Sequence, residues 1–219
     1  MARLGQACRR YGVDLAIEWV DEVHPELAPA AAAAGLEVSA HALMTAAPDE
    51  MADELTLPAV PGVKLRVVEA GEPALLDARA VANVAFDFGG CQRGGPGARQ
   101  RDEAVARLGA ELVTHLQARA RAGLTVTAVA ESPTEGALAT GSYQPVGAVA
   151  EIVAVGTLPA ARRRGLAGAV TAALAWQARQ RGVRTLVLSA ENDDVGRIYG
   201  RAGFRRIGTT RAAARATPA

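Results

Sequence analysis

The order of strand and helix patterns along residues 63–211 is the feature that most limits the fold of this 219-residue chain. Alternating or β-branched apolar runs predict strands, and apolar residues at helical spacing predict helices. The predicted strands lie at 63–69, 124–131, 137–153, 185–189 and 204–211, and the predicted helices at 73–88, 102–121, 165–182 and 193–202. This order predicts an α/β fold (α+β in some schemes), with a mixed central sheet flanked by helices.

Residues 1–60 have a smaller β-α-β pattern of their own. The predicted elements are a strand at 12–20, an alanine-rich helix at 25–34 and a strand at 36–44. The proline- and glycine-rich stretch 57–62 stops any regular element, so we predict a boundary there and a second domain at 61–219. We expect the first part to pack its strands on the main sheet or to pair with a second chain.

The N-terminal pattern resembles the end of the chain. Gly12 and Gly35 enclose a strand and a helix, as Gly182 and Gly203 do, with spacings of 23 and 21 residues. A shared order at such a spacing indicates a partial internal repeat. Residues 1–60 lack the motifs described below, so this half-repeat is predicted to be non-catalytic.

Composition excludes several classes of protein. Half of the residues are hydrophobic but only 4% are aromatic, so Ala, Val and Leu must fill most of the core. Arg accounts for 23 of the 24 basic residues, yet the net charge is +1 and the arginines are interspersed with Asp and Glu. Without a basic patch or an aromatic platform, no nucleic-acid partner is expected.

Membrane, disulfide and metal classes are not expected either. No apolar run approaches the roughly 20 residues of a membrane span, and the first residues lack the apolar region of a signal peptide. The only cysteines are Cys8 and Cys91, which fits a reducing compartment and a cytoplasmic protein. The histidines His24, His41 and His115 are scattered, so no metal site is predicted.

The stretch 151–168 carries the clearest chemical signal. An apolar strand runs into a proline-marked turn, then into a basic loop with Arg162, Arg163, Arg164 and Gly165, and then into a helix. The free N–H groups and the dipole of a helix N-terminus bind phosphate oxygens, and a glycine allows a ligand to approach the backbone closely. This pattern favours a phosphate-containing ligand.

Two motifs carry a family resemblance. The first, Arg162-x-x-Gly165-x-Ala167, resembles the Q/R-x-x-G-x-G/A pyrophosphate loop of the GNAT superfamily of acyl-CoA-dependent N-acyltransferases. The second, Asn192-x-x-Val195-x-x-Ile198-Tyr199-x-x-x-Gly203-Phe204, is similar to that family's N-x-x-A-x-x-L-Y-x-x-x-G-F segment, with Val195 as a mild departure. The resemblance covers about residues 62–211 and implies a sheet splayed between its fourth and fifth strands.

The resemblance implies acetyl-CoA as acyl-donor cosubstrate and direct transfer of the acetyl group to an amine. The residues expected to bind the cofactor are Val155, Gly156, Thr157, Arg162, Arg163, Arg164, Gly165, Leu166, Ala167, Gly168, Asn192 and Tyr199. Tyr199 is the expected acid that protonates the leaving thiolate, and Glu151 is our choice of general base. The backbone N–H of Val155 is expected to polarise the thioester carbonyl.

Each catalytic assignment has a structural alternative. Tyr199 is also a suitable core aromatic in a chain so poor in aromatic residues. Asn192 is also a suitable N-cap for the helix at 193–202, and Glu151 a charged, solvent-facing strand residue. The glycine-rich loop 89–97 is either a mobile lid or a flexible connection, and Cys91 within it is not expected to carry the acyl group, because the family transfers directly.

The acceptor amine is not fixed by the sequence; it belongs to a small molecule, a peptide or a protein. Asp193 and Asp194 either attract a cationic amine or only cap a helix. The alternative function is a non-catalytic acyl-CoA-binding regulatory module. We expect a monomer or a homodimer.

Overall fold

The computed structural model describes residues 2–51 and 59–215. Within these residues the helices are α1 (Ala2–Arg10), α2 (Leu27–Ala33), α3 (Ala74–Asp87), α4 (Ala98–Ala106), α5 (Ala110–Arg121), α6 (Leu166–Gln180) and α7 (Asp193–Arg201). The strands are β1 (Ala16–Val20), β2 (Glu37–Ala46), β3 (Lys64–Val67), β4 (Val126–Ser132), β5 (Gly136–Val146), β6 (Val149–Thr157), β7 (Thr185–Ala190) and β8 (Arg205–Ala214). The predicted mixed α/β fold is confirmed, with a mixed sheet of eight strands flanked by helices.

The chain divides into two compact units. The first contains the described residues up to Met44, residues 189–196 and those from Arg205 onward. It holds strands β1, β8 and β2 in that order, and β1 pairs antiparallel with β8. Its core consists of the buried residues Leu15, Trp19, Ala31, Leu36 and Ala213.

The second unit contains residues 45–188, apart from 52–58, and residues 197–204. It holds strands β7, β6, β5, β4 and β3 in that order. The pairs from β3 to β6 are antiparallel and the β6–β7 pair is parallel. Helices cover both faces of this sheet: a side chain at Gly156 would meet α3 at Ala82 and Ala85, whereas one at Gly141 would meet α6 at Val170.

Three sequence-based predictions need correction. The single helix predicted at 102–121 is two helices, α4 and α5, because extended backbone at Gly109 (φ −71°, ψ 149°) starts a new helix. The single strand predicted at 137–153 is the hairpin of β5 and β6, which turns at Gly147 with φ 59°. Helix α1 was not predicted at all, although its apolar and polar residues lie on two different faces of the helix.

The predicted boundary at 57–62 lies partly outside the described residues, and the division at residue 60 stays a prediction. The N-terminal strands β1 and β2 do join a sheet, as one of the two expectations for this segment required.

Candidate functional site

The parallel pair β6–β7 opens after three residues. Val149, Ala150 and Glu151 pair with residues 185–187, and in the described part of the chain the pairing of these two strands stops there. Beyond Glu151, the side of β6 that faces β7 keeps backbone groups without a ladder partner. Those groups can accept an extended ligand as an additional strand. Because β6 and β7 are the fourth and fifth strands of the second unit, the splay lies where the resemblance implied.

A β-bulge interrupts the other side of β6. Ser142 pairs with Val153 and Thr140 pairs with Gly156, so one residue of β5 opposes the two residues Ala154 and Val155. Ala154 has a positive φ of 54°, which is uncommon for a residue with a side chain. Such bulges leave backbone groups unpaired and redirect them, and they are frequent beside active sites.

The loop between β6 and α6 has the backbone of an anion cradle. Arg163 and Gly165 both have positive φ, at 65° and 81°, and α6 begins at the next residue, Leu166. Within the described residues, the first N–H group after Arg162 with a backbone acceptor is that of Ala169, which donates to the carbonyl of Gly165 at 3.0 Å. The preceding N–H groups are therefore available to phosphate oxygens.

The side chain of Arg162 has a different role from its neighbours in the basic run. Arg162 is only 7% exposed, whereas Arg163 and Arg164 are exposed. Its guanidinium donates to the carbonyl oxygens of Ala85 (2.8 Å), Gly89 (2.6 Å), Gln92 (3.2 Å) and Thr157 (3.3 Å). Burial lowers the pKa of Arg162 from its usual value. Both the side chain and the backbone N–H of Arg162 are engaged within the protein, the latter with the Pro159 carbonyl at 3.4 Å. The contact of Arg162 with the cofactor stays a prediction.

The same contacts fix the glycine-rich loop 89–97. Backbone bonds add to those of Arg162: Gly94 N–H donates to the Pro159 carbonyl at 3.1 Å, and Ala160 N–H donates to the Pro96 carbonyl at 2.9 Å. The loop after α3 is therefore tied to the turn that precedes the cofactor cradle. This arrangement favours an anchored connection over a freely moving lid.

Tyr199 is a buried aromatic residue, which agrees with the structural alternative that the sequence left open. Its side chain is buried, at 8% exposure, and its ring packs edge-on against Phe204 with centroids 5.9 Å apart. Burial raises the pKa of Tyr199 to about 12, and the nearby Cys91 adds to the shift. The phenol thus stays protonated at neutral pH, as a proton donor must.

The other two predicted polar residues lie in different surroundings. Asn192 belongs to the first compact unit, and its side-chain oxygen accepts a hydrogen bond from the Val195 N–H at 3.1 Å, so it is an N-cap of α7. Glu151 is exposed at the last paired position of β6, opposite Gln144 on β5. Cross-strand partners share one face of a sheet, so Glu151 and Gln144 lie on the same face.

Gln144 also lines a cavity of about 320 Å³ in the second unit. The apolar wall comes from α3 and α5 and comprises Leu75, Ala78, Ala82, Leu112, Leu116 and Ala120. The polar floor comes from the sheet and comprises Thr125, Thr127, Thr140, Ser142 and Gln144. Val153 and Ala154 line the cavity as well, so it adjoins the β-bulge. Arg79, His115 and Arg119 supply its charged or titratable side chains.

None of these cavity residues was singled out by the sequence analysis. A signal was present: threonine, serine and glutamine occupy every second position at 140, 142 and 144 of a strand whose flanks are apolar. Thr127, Thr140 and Ser142 are buried, and the Thr127 and Ser142 hydroxyls are 2.8 Å apart. The Thr140 hydroxyl donates to the Ala128 carbonyl at 3.2 Å, so these buried hydroxyls have partners within the protein and form a polar floor for the cavity.

The hydroxyl of Thr157 is a further feature that fits an acyl-CoA ligand. The Thr157 hydroxyl, on the predicted pantetheine strand, is buried and has no hydrogen-bond partner in the described part of the protein. A buried orphan hydroxyl is costly unless a ligand or water satisfies it. Together with the open edge of β6 and the cradle at 163–168, it suits a strand-like ligand that ends in phosphates.

Comparisons with known proteins support the same fold. Residues 129–213 match the FR47-like protein family, which covers the splayed strand, the cradle and the Tyr199 helix. A GCN5-related N-acetyltransferase from Kribbella flavida has a TM-score of 0.65 at 22% identity, with 97% of this chain and 72% of that chain covered. A tandem GNAT protein from the clavulanic acid biosynthesis pathway has a TM-score of 0.60 at 18% identity, with 98% and 68% covered.

A third structure, a GCN5-related N-acetyltransferase from Sphaerobacter thermophilus, has a TM-score of 0.59 at 19% identity, with 91% of this chain and 59% of that chain covered. No curated protein matches the chain significantly. With the splayed strands and the cradle, these findings identify the fold as that of the GNAT superfamily. Within the described residues no helix is long and apolar enough to cross a bilayer.

Proposed function

We propose that the chain is an acyl-CoA-dependent N-acyltransferase that transfers an acetyl group from acetyl-CoA to an amine. The observation that carries this proposal is the combination, within one compact unit, of the β6 splay, the bulge at Ala154 and the cradle at 163–168. An open strand edge suits the amide-rich pantetheine arm, and the cradle suits its pyrophosphate. Acyl-CoA supplies the activated acyl group in this reaction.

The bulge supports an electrophilic role for the backbone of β6. Because Ala154 and Val155 share a single partner on β5, a backbone group there is not engaged in the ladder. An N–H group held by the fold toward a carbonyl oxygen stabilises the negative charge that develops during acyl transfer. We assign this role to the N–H of Val155.

The buried phenol of Tyr199 supports a role as acid. Its raised pKa keeps it neutral at the pH of the cell, so it can donate a proton to the leaving sulfur. A free thiol has a pKa of about 8.5, but the same burial that disfavours the phenolate also disfavours a thiolate beside it. In the proposed step the phenol gives its proton to the sulfur as the bond between carbonyl and sulfur breaks, and the phenolate then recovers a proton from solvent.

The position of Glu151 supports a role as base. It lies on the cavity-facing side of the sheet at the point where β6 and β7 separate. An ammonium group cannot attack a carbonyl, so a carboxylate at this position accepts its proton directly or through one water molecule. The cavity that adjoins the bulge gives the amine room to approach.

The test is the release of CoA thiol from acetyl-CoA in the presence of a panel of primary amines, with mass spectrometry of the amine product. We expect amine-dependent thiol release by the full chain and at least a 10-fold slower rate in Glu151→Gln. Glu135→Gln, at an exposed hairpin turn, is the matched control. Binding of acetyl-CoA without thiol release for any amine would instead favour the non-catalytic acyl-CoA-binding module.

A further inference from the structure

The cavity between α3, α5 and the sheet has basic side chains in its lining and a carboxylate beside it. Among its described lining residues are two arginines, Arg79 and Arg119, and a histidine, but no Asp or Glu. Arg119 is bonded to Thr125 at the start of β4, and the register of β4 and β5 places Thr125 next to Gln144. Gln144 is in turn the cross-strand partner of Glu151 on β6, so the arginine lies on the β4 side of the cavity and the carboxylate beside its β6 side.

Two hydrogen bonds hold the guanidinium of Arg119 in place and leave some of its N–H groups for a ligand. Its Nε donates to the Thr125 hydroxyl at 3.0 Å, and its Nη2 donates to the Leu124 carbonyl at 3.3 Å. Neither Arg119 nor Arg79 forms an ion pair within the described residues, and the Nη1 group of Arg119 has no protein acceptor there. A guanidinium positioned by two bonds and lacking a carboxylate partner is suited to a carboxylate supplied by a ligand.

Helix α5, which carries Arg119, packs loosely for a helix of twelve residues. None of its residues is buried, because its apolar side chains Leu112 and Leu116 face the cavity instead of a filled core. A ligand in the cavity would cover these side chains and remove apolar surface from water. The ligand is therefore expected to have an apolar segment between its polar ends.

We propose that the acceptor is an amine that also carries a carboxylate, with a short apolar chain between the two groups. The amine lies toward Glu151 and the bulge, and the carboxylate binds Arg119, assisted by Arg79. Thr125 precedes β4 and Glu151 lies on β6, so the two ends are separated by about two strand spacings, roughly 10 Å. This inference names the substrate class of the proposed N-acyltransferase and rests on that function.

The same charges select against other amines. A diamine or polyamine would place a second cation beside Arg79 and Arg119 without a carboxylate to balance it, and like charges in a confined site disfavour binding. A neutral amide end would leave the arginine without an ionic partner. The expected order of affinity is therefore acid, then amide, then diamine.

The test uses three amines of one length: 6-aminohexanoate, 6-aminohexanamide and 1,6-diaminohexane. Calorimetry with the full chain in the presence of saturating CoA measures binding, and thiol release from acetyl-CoA measures turnover. We expect the acid to bind about 10-fold more tightly than the amide, with the diamine weakest. Arg119→Gln should abolish that preference, whereas Arg121→Gln, an exposed arginine near the end of the same helix, should keep it.

Arg79→Gln is a second variant, at an exposed helix position, in case Arg119→Gln does not fold, and it should weaken the preference. Equal or tighter binding of the amide or the diamine, no binding of the acid, or an unchanged preference in Arg119→Gln would each overturn the inference. Tight binding of the acid that depends on Arg119, without thiol release from any amine, would refute the proposed function and leave only a binding site for an amine that carries a carboxylate. Thiol release that is fastest with the diamine would support the proposed N-acyltransferase function and refute the proposed class of acceptor.

Discussion

Two helix ends in this protein are built with the same backbone bonds but carry different side chains. At the end of α2, the Leu36 N–H donates to the Ala31 carbonyl at 3.2 Å, and at the end of α7 the Phe204 N–H donates to the Tyr199 carbonyl at 3.1 Å. In each case the residue before the donor is a glycine with positive φ, at 76° and 98°. This is the usual geometry for a helix that stops before a strand.

A second pair of helix ends agrees in the same way. The Val13 N–H donates to the Cys8 carbonyl at 3.0 Å after α1, and the Val183 N–H donates to the Ala178 carbonyl at 3.1 Å after α6. The order α1-β1-α2-β2, the N-terminal segment, thus parallels α6-β7-α7-β8, the C-terminal segment. The match supports the half-repeat, which stays a proposal because helix ends of this kind are common.

The difference between the segments lies in side chains and in one loop. The position that is Tyr199 in the C-terminal segment is Ala31 in the N-terminal one, and each is buried. The C-terminal segment is preceded by the turn with Arg162 and by the cradle at 163–168. The proposed site therefore depends on the phenol and the loop, which the N-terminal segment lacks, and not on the shared backbone scheme.

The largest effect is expected from removing the arginine that anchors this loop. Arg162→Ala leaves four carbonyl groups without their charged donor, so the free energy of unfolding should fall by about 3 kcal/mol, as measured by urea denaturation. Arg164→Ala, at an exposed position two residues away, should change it by less than about 0.5 kcal/mol. Equal effects of the two variants would contradict the anchoring role.

The next effect concerns turnover at the matched positions. Tyr199→Phe should slow thiol release about 100-fold, because the acid is lost while the ring packing with Phe204 is kept. Ala31→Gly should lower stability by about 1 kcal/mol without slowing turnover. Tyr143→Phe, at the fully buried tyrosine, is the control for loss of a hydroxyl. A fully active Tyr199→Phe enzyme would remove the acid assignment.

The free energy of unfolding at alkaline pH should depend on Tyr199, the buried phenol of the C-terminal segment. The Tyr199 pKa is about 12 in the folded protein and about 10 in an unfolded chain, so its contribution is complete below pH 10 and is lost as the pH rises through 12. The loss amounts to about 2–3 kcal/mol. Urea midpoints across this range should fall less in Tyr199→Phe than in the unmodified protein. Parallel curves would argue against a buried phenol.

The smallest effects are expected at two glycines with positive φ, Gly165 before α6 and Gly35 after α2. Gly165 and Gly35 both have positive φ and open space where a side chain would stand, so Gly165→Ala and Gly35→Ala should each cost about 1 kcal/mol of stability. Only Gly165→Ala should also weaken CoA binding, by roughly 10-fold, because its methyl group would project into the cradle. Equal CoA affinity in both variants, measured by calorimetry, would place the phosphates elsewhere.

Periodicity predicted most of the fold, because strands and helices bury one face at different spacings. It missed the break at Gly109 and the turn at Gly147, since a single glycine within an apolar pattern is often tolerated. The sequence motif around Gly165 predicted the cradle, because the features of the cradle arise from residues that are adjacent in the chain. Its positive φ and the N–H groups that follow depend on neighbouring residues only.

The remaining features of the site depend on contacts that are distant in sequence. The bulge at Ala154 is a matter of register against β5, and the partners of the Arg162 guanidinium at residues 85–92 lie 70 residues or more away. No window of sequence contains both members of such a pair. The polar floor of the cavity is different, because polar residues at every second position of β5 can be recognised in the sequence alone.

The Arg162 contacts have a consequence for motion. Since the guanidinium of Arg162 bonds to the end of α3, to the glycine-rich loop and to the end of β6, we expect these three segments to open together or remain closed together. Their amides should then exchange with solvent as one cooperative group. The α3 wall of the cavity and the turn before the cradle at 163–168 would thus open and close as one unit.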